Sequence, residues 1–409
     1  MKAQPPPINA PPDRLFVGVD VGKIHHWVSA VDQEGTTVIS RKVLNDEIEI
    51  RAVVAEVNEY SVPNVWAVDI VGTPSALLLA VLALSDQSVV YASGRVVAAM
   101  SAAYSGEGKT DAKDAFVIAE TARIRSDLNV IDHETDLVRS LAVLTGHRSD
   151  LVADRVRMIN RLRDLLTSVF PALEREFDYS SHKGALVLLT RYSTPQRIRR
   201  VGEARLASWL RNRHVYTSAA VAGRAIKAAQ SQHVEMAGQD TAAQIVSEIA
   251  DSLLRLDERI KSLDSEIASM FNQHSDAAII QSMPGFGPIL GASLLVGTSD
   301  LRAFPTAGHL AAAAGLAPVP NDSGRRVGNL HRPTQYSRVL RHVFYLSAQT
   351  SMMRPGPNRD FYLKKRDQGK THTQSVIALA RRRIDVLWAL LRDRRTWTAE
   401  PPRIVPLAA

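Results

Sequence analysis

The sequence has no cysteine among its 409 residues, which excludes disulfide bonds, thiolate zinc sites and cysteine nucleophiles. It also lacks any stretch of about 18 unbroken apolar residues, the length that a membrane-spanning helix requires. The segment Met1–Pro12 is rich in proline and has no apolar core of the kind found in signal peptides. These absences predict a cytoplasmic protein with no membrane partner.

Positive charge is in excess and is unevenly distributed, with a net charge of +8 for the whole chain. From Ser282 to Ala409 there are 19 Lys and Arg against 7 Asp and Glu, whereas the rest of the chain has 31 against 35. A surface that serves solubility alone would mix the two signs, so this segregation favours a polyanionic partner such as nucleic acid. Any one basic cluster is equally consistent with a solvated helix face. The clusters expected to bind nucleic acid contain Arg325, Arg326, Lys364, Lys365, Arg366, Arg381 and Arg382, and the last of them continues into Arg383.

Four aspartates in the first 115 residues occupy positions that suit metal ligands. Asp20 and Asp69 each close a short apolar run, so each is predicted at the end of a buried strand. Asp111 and Asp114 are three residues apart at the predicted start of a helix, so they share one face. Such carboxylates, together with the phosphate oxygens of a substrate, are the ligands that Mg²⁺ prefers.

Each aspartate also has an ordinary structural interpretation. An aspartate at a strand end commonly forms a turn, and Thr110 followed by Asp111 is typical of a helix cap with acids in the first turn. The order of the four acids on strand, strand and helix is what favours a metal-dependent site with Mg²⁺ or Mn²⁺ as its cofactor.

Secondary-structure patterns divide the chain into an α/β part and a helical part. Residues 14 to about 125 are predicted to form a mixed sheet with helices, including a meander of strands around Val17, Val28 and Val38. Apolar residues at three- and four-residue steps predict long helices from Glu134 to about Arg175 and from Ala242 to Met270. We expect these helices to pair as an antiparallel coiled coil, within the chain or between subunits.

Two glycine-rich motifs follow residue 275. Gly285 and Gly287 open a predicted helix, a pattern similar to a helix-hairpin-helix turn, whose backbone N–H groups bind a phosphate. Ser323 lies in a run of turn-forming residues before Arg325 and Arg326, where its hydroxyl can attack phosphorus while the guanidinium groups hold phosphate oxygens. A tight interhelical turn and an ordinary turn serine are the structural alternatives.

Together these motifs resemble those of bacterial insertion-sequence transposases with an N-terminal DEDD RuvC-like domain and a C-terminal serine domain, the bridge-RNA-guided recombinases. The resemblance covers nearly the whole chain. Its motifs are Gly18-Val19-Asp20-Val21-Gly22-Lys23, the Asp69 strand with Gly72, Lys109-Thr110-Asp111 through Asp114-Ala115, Pro284-Gly285-Phe286-Gly287-Pro288, Gly315-Leu316-Ala317-Pro318 and Ser323-Gly324. Two positions depart from the family: Asp69 stands where glutamate is usual, and Asp322 stands where a second serine is often found.

The resemblance implies a fold class of α/β plus all-α. Its parts are a ribonuclease H-like (RuvC-like) mixed sheet with helices, long coiled-coil helices, and a mainly helical serine domain with a helix-hairpin-helix-like turn. The corresponding boundaries are 1–13 for a disordered N-terminus, 14–130 for the RuvC-like DEDD domain, 131–275 for the helical region, 276–400 for the serine transposase domain and 401–409 for a tail.

The resemblance also implies a DNA transposase or recombinase in which Ser323 becomes joined to a DNA phosphate while Asp20, Asp69, Asp111 and Asp114 hold the metal. The implied partners are double-stranded donor and target DNA, a structured noncoding guide RNA, and further copies of the chain in a dimer or tetramer.

Two other functions remain open from the residues. One is a metal-dependent nuclease similar to a Holliday-junction resolvase, in which Ser323 is structural. The other is a non-enzymatic RNA- or DNA-binding protein. A tyrosine recombinase is not favoured, because Arg341, His342 and Tyr345 lie within about one and a half turns of a single predicted helix and cannot surround one phosphate.

Overall fold

The computed structural model describes residues 13–70, 73–104, 110–131, 136–298, 301, 304–323 and 327–399. The predicted tail and all but the last residue of the predicted N-terminal segment lie outside these described residues. The chain divides into two compact units, residues 1–133 and 134–409. Within the described part, no helix combines the length and the apolar character needed to cross a membrane.

The first unit is built on a six-stranded mixed sheet in the order β3-β2-β1-β4-β5-β6. Its strands are β1 (Leu15–Asp20), β2 (His25–Val31), β3 (Thr37–Leu44), β4 (Asn64–Val68), β5 (Val89–Tyr91) and β6 (Asn129–Val130). The three central strands β1, β4 and β5 are parallel, and β2, β3 and β6 each run antiparallel to a neighbour. The predicted mixed sheet is confirmed, and so is the meander through Val17, Val28 and Val38.

Helices lie on the two faces of the central strands. They are α1 (Glu47–Asn58), α2 (Ala76–Leu84), α3 (Gly94–Ser101) and α4 (Asp111–Ile124), with a 3₁₀ turn at Thr73–Ser75. Side chains alternate between faces along a strand. In β1, Val17 and Val19 pack in one core with residues of α1 and α2, whereas Gly18 faces α4.

Helix α4 approaches the backbone of β1 very closely at Gly18. A Cβ atom built at Gly18 would lie 2.2 Å from the carbonyl oxygen of Ala115 and 2.2 Å from the backbone nitrogen of Ala119. Only glycine permits this contact. The glycine therefore sets how near the first turn of α4 comes to the ends of the central strands.

Replacing Gly18 with alanine should push α4 away from β1. Both contacts are backbone atoms that cannot rotate aside, so we expect a loss of about 3 kcal/mol in the stability of the first unit, at the upper end of overpacking costs. Hydrogen exchange of the α4 backbone amides measures this loss of stability. Gly94→Ala is the control, because a Cβ there meets nothing within 4 Å. Equal protection of α4 in both variants would contradict the close approach.

The described part of the second unit is helical apart from one short hairpin. Its elements are α5 (Asp136–Val169), α6 (Pro171–Glu176), α7 (Lys183–Leu189), α8 (Pro195–Val201), α9 (Glu203–Arg211), α10 (Ser218–Gln230), α11 (Gln239–Phe271), α12 (Ala277–Ser282), α13 (Pro288–Thr298), α14 (Ala307–Ala313), β7 (Val319–Pro320), β8 (Leu330–His331), α15 (Arg338–Ser351), α16 (Pro357–Asp367) and α17 (His372–Arg392). The fold class of α/β plus mainly helical is therefore confirmed.

Helices α5 and α11 pack against each other within the chain. Ion pairs join Arg148 to Asp264 and Arg155 to Asp257, so residue numbers rise along one helix as they fall along the other, and the pair is antiparallel. The prediction of one helix to about Arg175 was wrong at its end. Helix α5 stops at Val169, because Pro171 disfavours helical backbone at the residue before it and begins a new helix.

The helix pair contributes to two separate apolar cores. The first helical core joins the C-terminal half of α5 and the N-terminal half of α11 to α6–α10, and it includes Leu166, Leu210 and Leu253. The second helical core joins the opposite ends of the pair to α12–α17, and it includes Leu141 and Phe271. Both cores belong to one compact unit.

Candidate functional site

Asp20 and Asp69 lie at the C-terminal ends of two neighbouring parallel strands. Strands β1 and β4 pair in register, with Val19 opposite Val68, so the next residue on each chain is an aspartate. Strand alternation places Asp20 on the same face as Gly18, and Asp69 on the same face as Ala67. Gly18 meets α4, and Ala67 packs in a cluster with residues of α4. Both aspartates therefore lie on the face of the sheet that α4 covers.

Helix α4 brings two more carboxylates to this region. Its N-cap is Thr110, whose side chain accepts a hydrogen bond of 3.2 Å from the backbone N–H of Lys113. The cap fixes where the helix begins, and it puts Asp111 and Asp114 in the first turn, as predicted. Asp111 is exposed, whereas Asp114 is partly buried and close enough to Asp69 for their charges to interact.

The Asp69 carboxyl group is in an unfavourable environment for an isolated charge. Its Oδ1 atom is buried and has no hydrogen-bond partner among the described residues. Burial raises the pKa of Asp69, and the Asp114 charge raises it further, against hydrogen bonds from the backbone N–H groups of Asp69 and Val21. A buried carboxylate oxygen without a partner disfavours the charged form, and a second anion beside it adds to the cost.

This chemistry fits a hard divalent cation. Carboxylate oxygens are the donors that Mg²⁺ and Mn²⁺ prefer, and a cation would partner the Asp69 oxygen while cancelling its repulsion from Asp114. Within the described part of the chain, however, no three histidine or acidic side chains lie close enough together to hold a metal. Asp20 and Asp69 thus lie at neighbouring strand ends with Asp114 near Asp69, and Asp111 lies in the same turn of α4 as Asp114, without forming a closed set of ligands. Gly72 and Lys109 of the same motifs lie outside the described residues.

A further buried acid on α4 was missed from the sequence. Glu120 accepts a hydrogen bond of 2.6 Å from the Tyr104 hydroxyl and pairs with Arg123 at 2.6 Å. The Arg123 guanidinium lowers the pKa of Glu120. Because both neighbours already occupy its oxygens, Glu120 stabilises the packing of α4 and is not available as a metal ligand. The i,i+3 spacing of Glu120 and Arg123 was the signal for this pair.

Ser323 lies on the loop of the β7–β8 hairpin and is exposed. Its hydroxyl has no hydrogen-bond partner among the residues that the structure describes. Two hydrogen bonds fix the loop next to Ser323. Asp322 Oδ1 accepts one of 2.9 Å from the Asn329 N–H, and the Asn321 N–H donates one of 2.8 Å to the Asn329 carbonyl. Asp322, which departs from the family pattern, thus helps to close the hairpin. Gly324, Arg325 and Arg326 lie outside the described residues.

Tyr336, which the sequence reasoning did not single out, lies near the base of this hairpin. A Cβ atom at Gly315 would lie 2.4 Å from the tyrosine ring, and Arg341 covers the ring at 4.7 Å while donating to the Gly315 carbonyl at 2.9 Å. The Arg332 guanidinium approaches the phenol oxygen at 3.4 Å. That hydrogen bond, with the charges of Arg341 and Arg338, lowers the pKa of Tyr336. The sequence signal for this environment was the presence of Arg332, Arg338 and Arg341 within ten residues around the tyrosine.

The helix-hairpin-helix-like turn is present between α12 and α13. Gly285 has a φ of +85°, and a Cβ atom there would lie 2.5 Å from the Ser347 carbonyl oxygen, so this glycine serves packing against α15. Gly287 is exposed, and a Cβ atom there would meet nothing within 4 Å. Of the two glycines predicted to bind phosphate, Gly287 is the accessible one.

Arg383 holds this turn from inside the protein. It is 1% exposed, donates to Ser347 Oγ at 2.6 Å and to the Pro284 carbonyl, and has no carboxylate partner in the described part of the chain. Burial lowers the pKa of Arg383 to about 9. Treating it as part of a surface cluster with Arg381 and Arg382 was therefore wrong. Its side chain lies on the apolar face of α17.

The remaining basic clusters meet around Phe361. Lys365 on α16 lies 5.4 Å from the centre of this ring and Arg382 on α17 lies 4.9 Å from it. Arg381 is paired with Asp385, which partly neutralises it. Lys364 and Arg366 are exposed near the end of α16. The structure therefore brings two clusters that are separate in sequence to one surface.

Two family models match the chain. The DEDD_Tnp_IS110 model, described as a transposase, matches residues 17–171. The model described as transposase IS116/IS110/IS902 family matches residues 277–363. The first match contains all four predicted acids, and the second contains Ser323.

Known proteins are similar over nearly the whole chain. An uncharacterized 44.8 kDa protein of insertion element IS116 from Streptomyces clavuligerus is 55% identical, covering 95% of this chain and 98% of the relative. An uncharacterized 42 kDa protein of insertion element IS900 from Mycobacterium paratuberculosis is 44% identical, covering 94% of this chain and 97% of the relative. Among solved structures, T. thermophilus RuvC in complex with a Holliday junction substrate is 17% identical, with a TM-score of 0.24, covering 29% of this chain and 99% of that chain.

Proposed function

Because this chain belongs to the IS116/IS110/IS902 family of transposases, we propose that it cuts and rejoins DNA through a serine nucleophile assisted by its acidic site. The observation that carries the proposal is Ser323, an exposed hydroxyl with no hydrogen-bond partner in the described residues, on a loop that neighbouring residues hold in place.

In the proposed reaction, Ser323 Oγ attacks the phosphorus of a phosphodiester. The new bond joins the serine oxygen to phosphorus, the bond from phosphorus to one deoxyribose oxygen breaks, the serine loses its proton and the leaving oxygen gains one. The phosphoserine ester retains the energy of the broken bond. A second deoxyribose hydroxyl can therefore reverse the step and join a new strand without ATP.

The acidic site would supply the metal for this reaction. Asp20, Asp69, Asp111 and Asp114 would hold Mg²⁺ or Mn²⁺, which when bound neutralises phosphate charge. Asp69 and Asp114 support this assignment most directly, because the buried Asp69 oxygen has no partner and the two charges repel each other. The acids and Ser323 belong to different units, and we propose no arrangement between them.

We further propose that a structured noncoding RNA directs the choice of DNA, as the family resemblance implies, and that a dimer or tetramer acts. The segregated positive charge after Ser282 supports a nucleic-acid partner. On the described surface, Lys364, Lys365, Arg366 and Arg382 around Phe361, with the backbone at Gly287, are the proposed contacts. Arg325 and Arg326 are proposed from the sequence alone.

A second candidate is a metal-dependent nuclease similar to a junction resolvase. The buried, unpartnered oxygen of Asp69 beside Asp114 favours it, because such a carboxylate pair can support phosphodiester hydrolysis with a metal and without any serine.

A recombination assay with the full-length protein separates these functions. Labelled donor and target DNA are incubated in Mg²⁺ with the protein and the structured noncoding RNA encoded beside its gene. We expect recombinant junctions together with a covalent protein–DNA adduct. Nicked DNA without an adduct would establish the resolvase-like nuclease instead, and binding without any cleavage would leave a non-enzymatic binding protein.

A further inference from the structure

The α5–α11 helix pair has two electrostatically different faces. On one face, charges of opposite sign meet across the pair, at Arg148 with Asp264 and at Arg155 with Asp257. These cross-helix ion pairs are partly buried and help to set the register of the two helices.

On another face, arginines from both helices line one open groove. We call it the arginine groove, and its lining residues are Asp154, Arg157, Met158 and Arg161 from α5 with Ser252, Arg255, Leu256 and Arg259 from α11. Each helix contributes two arginines four residues apart, so each contributes a row about 6 Å long. Met158 and Leu256 are partly buried, and they give the groove apolar lining between the two rows.

The carboxylates near this groove do not join the helices. Arg157 pairs with Asp154 and Arg255 pairs with Asp251, so each ion pair stays on its own helix. Arg161 and Arg259 are exposed and make no ion pair or hydrogen bond among the described residues. Asp154 and Asp251 therefore offset the charges of Arg157 and Arg255, whereas Arg161 and Arg259 leave the groove with net positive charge.

Arg161 and Arg259, one on each helix, have free guanidinium donors among the described residues. An anion lying in the groove would accept hydrogen bonds from both rows and balance the net positive charge. Guanidinium groups suit phosphate oxygens, which they bind in bidentate fashion. Two rows of arginines along an open groove suit a chain of phosphates better than a single phosphate ion.

We propose that the arginine groove binds the phosphodiester backbone of a nucleic acid. The inference rests on the proposed function only in that the chain handles nucleic acid, and it does not require the serine reaction. RNA and DNA offer the same phosphate chemistry, so the experiment must distinguish them.

The test is a binding titration of the full-length protein with two labelled probes, a 20-base-pair RNA duplex and a DNA duplex of the same sequence. The groove variant is Arg161→Gln with Arg259→Gln, because neither arginine has an ion pair to lose. The matched control is Arg205→Gln with Arg211→Gln, two exposed arginines on α9 without described ion pairs. Both variants lose the same charge from the same unit.

We expect the groove variant to bind at least one probe roughly 60-fold more weakly at 0.1 M salt, with the slope of log K against log salt reduced by about 1.8, as two lost phosphate contacts on a duplex require. The control should keep at least half of the wild-type affinity. The probe that loses affinity identifies the bound nucleic acid. Arg161→Lys with Arg259→Lys should restore most of the salt slope, since it restores the charge.

Other outcomes would overturn the inference. If wild type binds the probes and the groove variant binds them equally well, the groove is not a nucleic-acid site, and the proposed function stands. If the wild-type protein binds neither probe, the groove inference and the proposed function are both wrong. Unchanged nucleic-acid binding with loss of self-association, measured by light scattering, would assign the groove to an acidic surface of another copy. The Gln variant should unfold at the wild-type temperature, because both arginines are exposed and neither has an ion pair or hydrogen bond to lose among the described residues.

Discussion

Replacing Ser323 with alanine should abolish both the covalent protein–DNA adduct and all recombinant product, while RNA and DNA binding stay at wild-type levels. The substitution removes one oxygen from an exposed side chain with no described hydrogen bond, so the fold should lose less than about 1 kcal/mol. A nucleophile, in contrast, has no substitute. Denaturing gel analysis of labelled DNA after incubation with the full-length protein measures the adduct.

Ser337→Ala is the matched control in the same region. Ser337 is the N-cap of α15, where its side chain accepts a hydrogen bond of 3.2 Å from the Leu340 N–H. The control should cost about 1 kcal/mol of stability and keep the adduct, the reverse of the Ser323 result. The two serines together separate loss of chemistry from loss of structure.

Tyr336 provides the outcome that would overturn the serine assignment. It is a phenol among arginines near the same hairpin, and the hydrogen bond from Arg332 lowers its pKa. An adduct that persists in Ser323→Ala and disappears in Tyr336→Phe would transfer the nucleophilic role to the tyrosine. The bond types also differ, because a phosphoserine ester is cleaved by alkali and a phosphotyrosine ester resists it.

Neutralising either member of the Asp69–Asp114 pair should lower the rate of DNA strand cleavage at least about a hundredfold. Asp69→Asn and Asp114→Asn keep the size of the side chain and remove a charge that the proposed cation needs, and a catalytic metal contributes several kcal/mol. Single-turnover cleavage at saturating Mg²⁺ measures the loss. Binding of RNA should be nearly unchanged.

Stability gives a second readout for these two variants that does not depend on activity. Mg²⁺ should raise the unfolding temperature of the wild-type protein and have little effect on the variants, because binding to the folded state stabilises it. Asp86→Asn is the control. Asp86 is exposed with a φ of +52°, a conformation that asparagine tolerates well, so it should respond to Mg²⁺ as wild type does. Wild-type cleavage by both Asn variants would rule out the metal site.

The strand ends and the start of α4 were predictable from the sequence because their signals are local. Apolar runs ending in Asp20 and Asp69 predict buried strands, and Thr110 before Asp111 predicts a capped helix. The pairing of β1 with β4 joins segments about 50 residues apart, and no local pattern specifies it. The contact of Gly18 with Ala115 is of the same kind, since a glycine in a strand does not reveal which helix will approach it.

Side-chain environments in the C-terminal third were harder to predict. Arg383 looked like its two neighbours in a basic run, although its spacing from Leu379 and Leu387 on the apolar face of α17 indicated burial. Tyr336 depends on Gly315, a residue from a different motif, so only the folded chain brings the two together. A run of basic residues in the sequence shows only that charge is present. The helical period determines which of those side chains are exposed to solvent.

The division of the helix pair between two cores determines the order in which the chain can fold during synthesis. The first helical core closes once Leu253 has been made, but the second requires Leu141 near the start of α5 and Leu390 near the end of α17. At about 5–20 residues per second, roughly 12 to 50 seconds separate the synthesis of Leu141 from that of Leu390. Throughout that interval the second helical core lacks some of its members, and the apolar side chains that they will cover are exposed to chaperones and to other nascent chains.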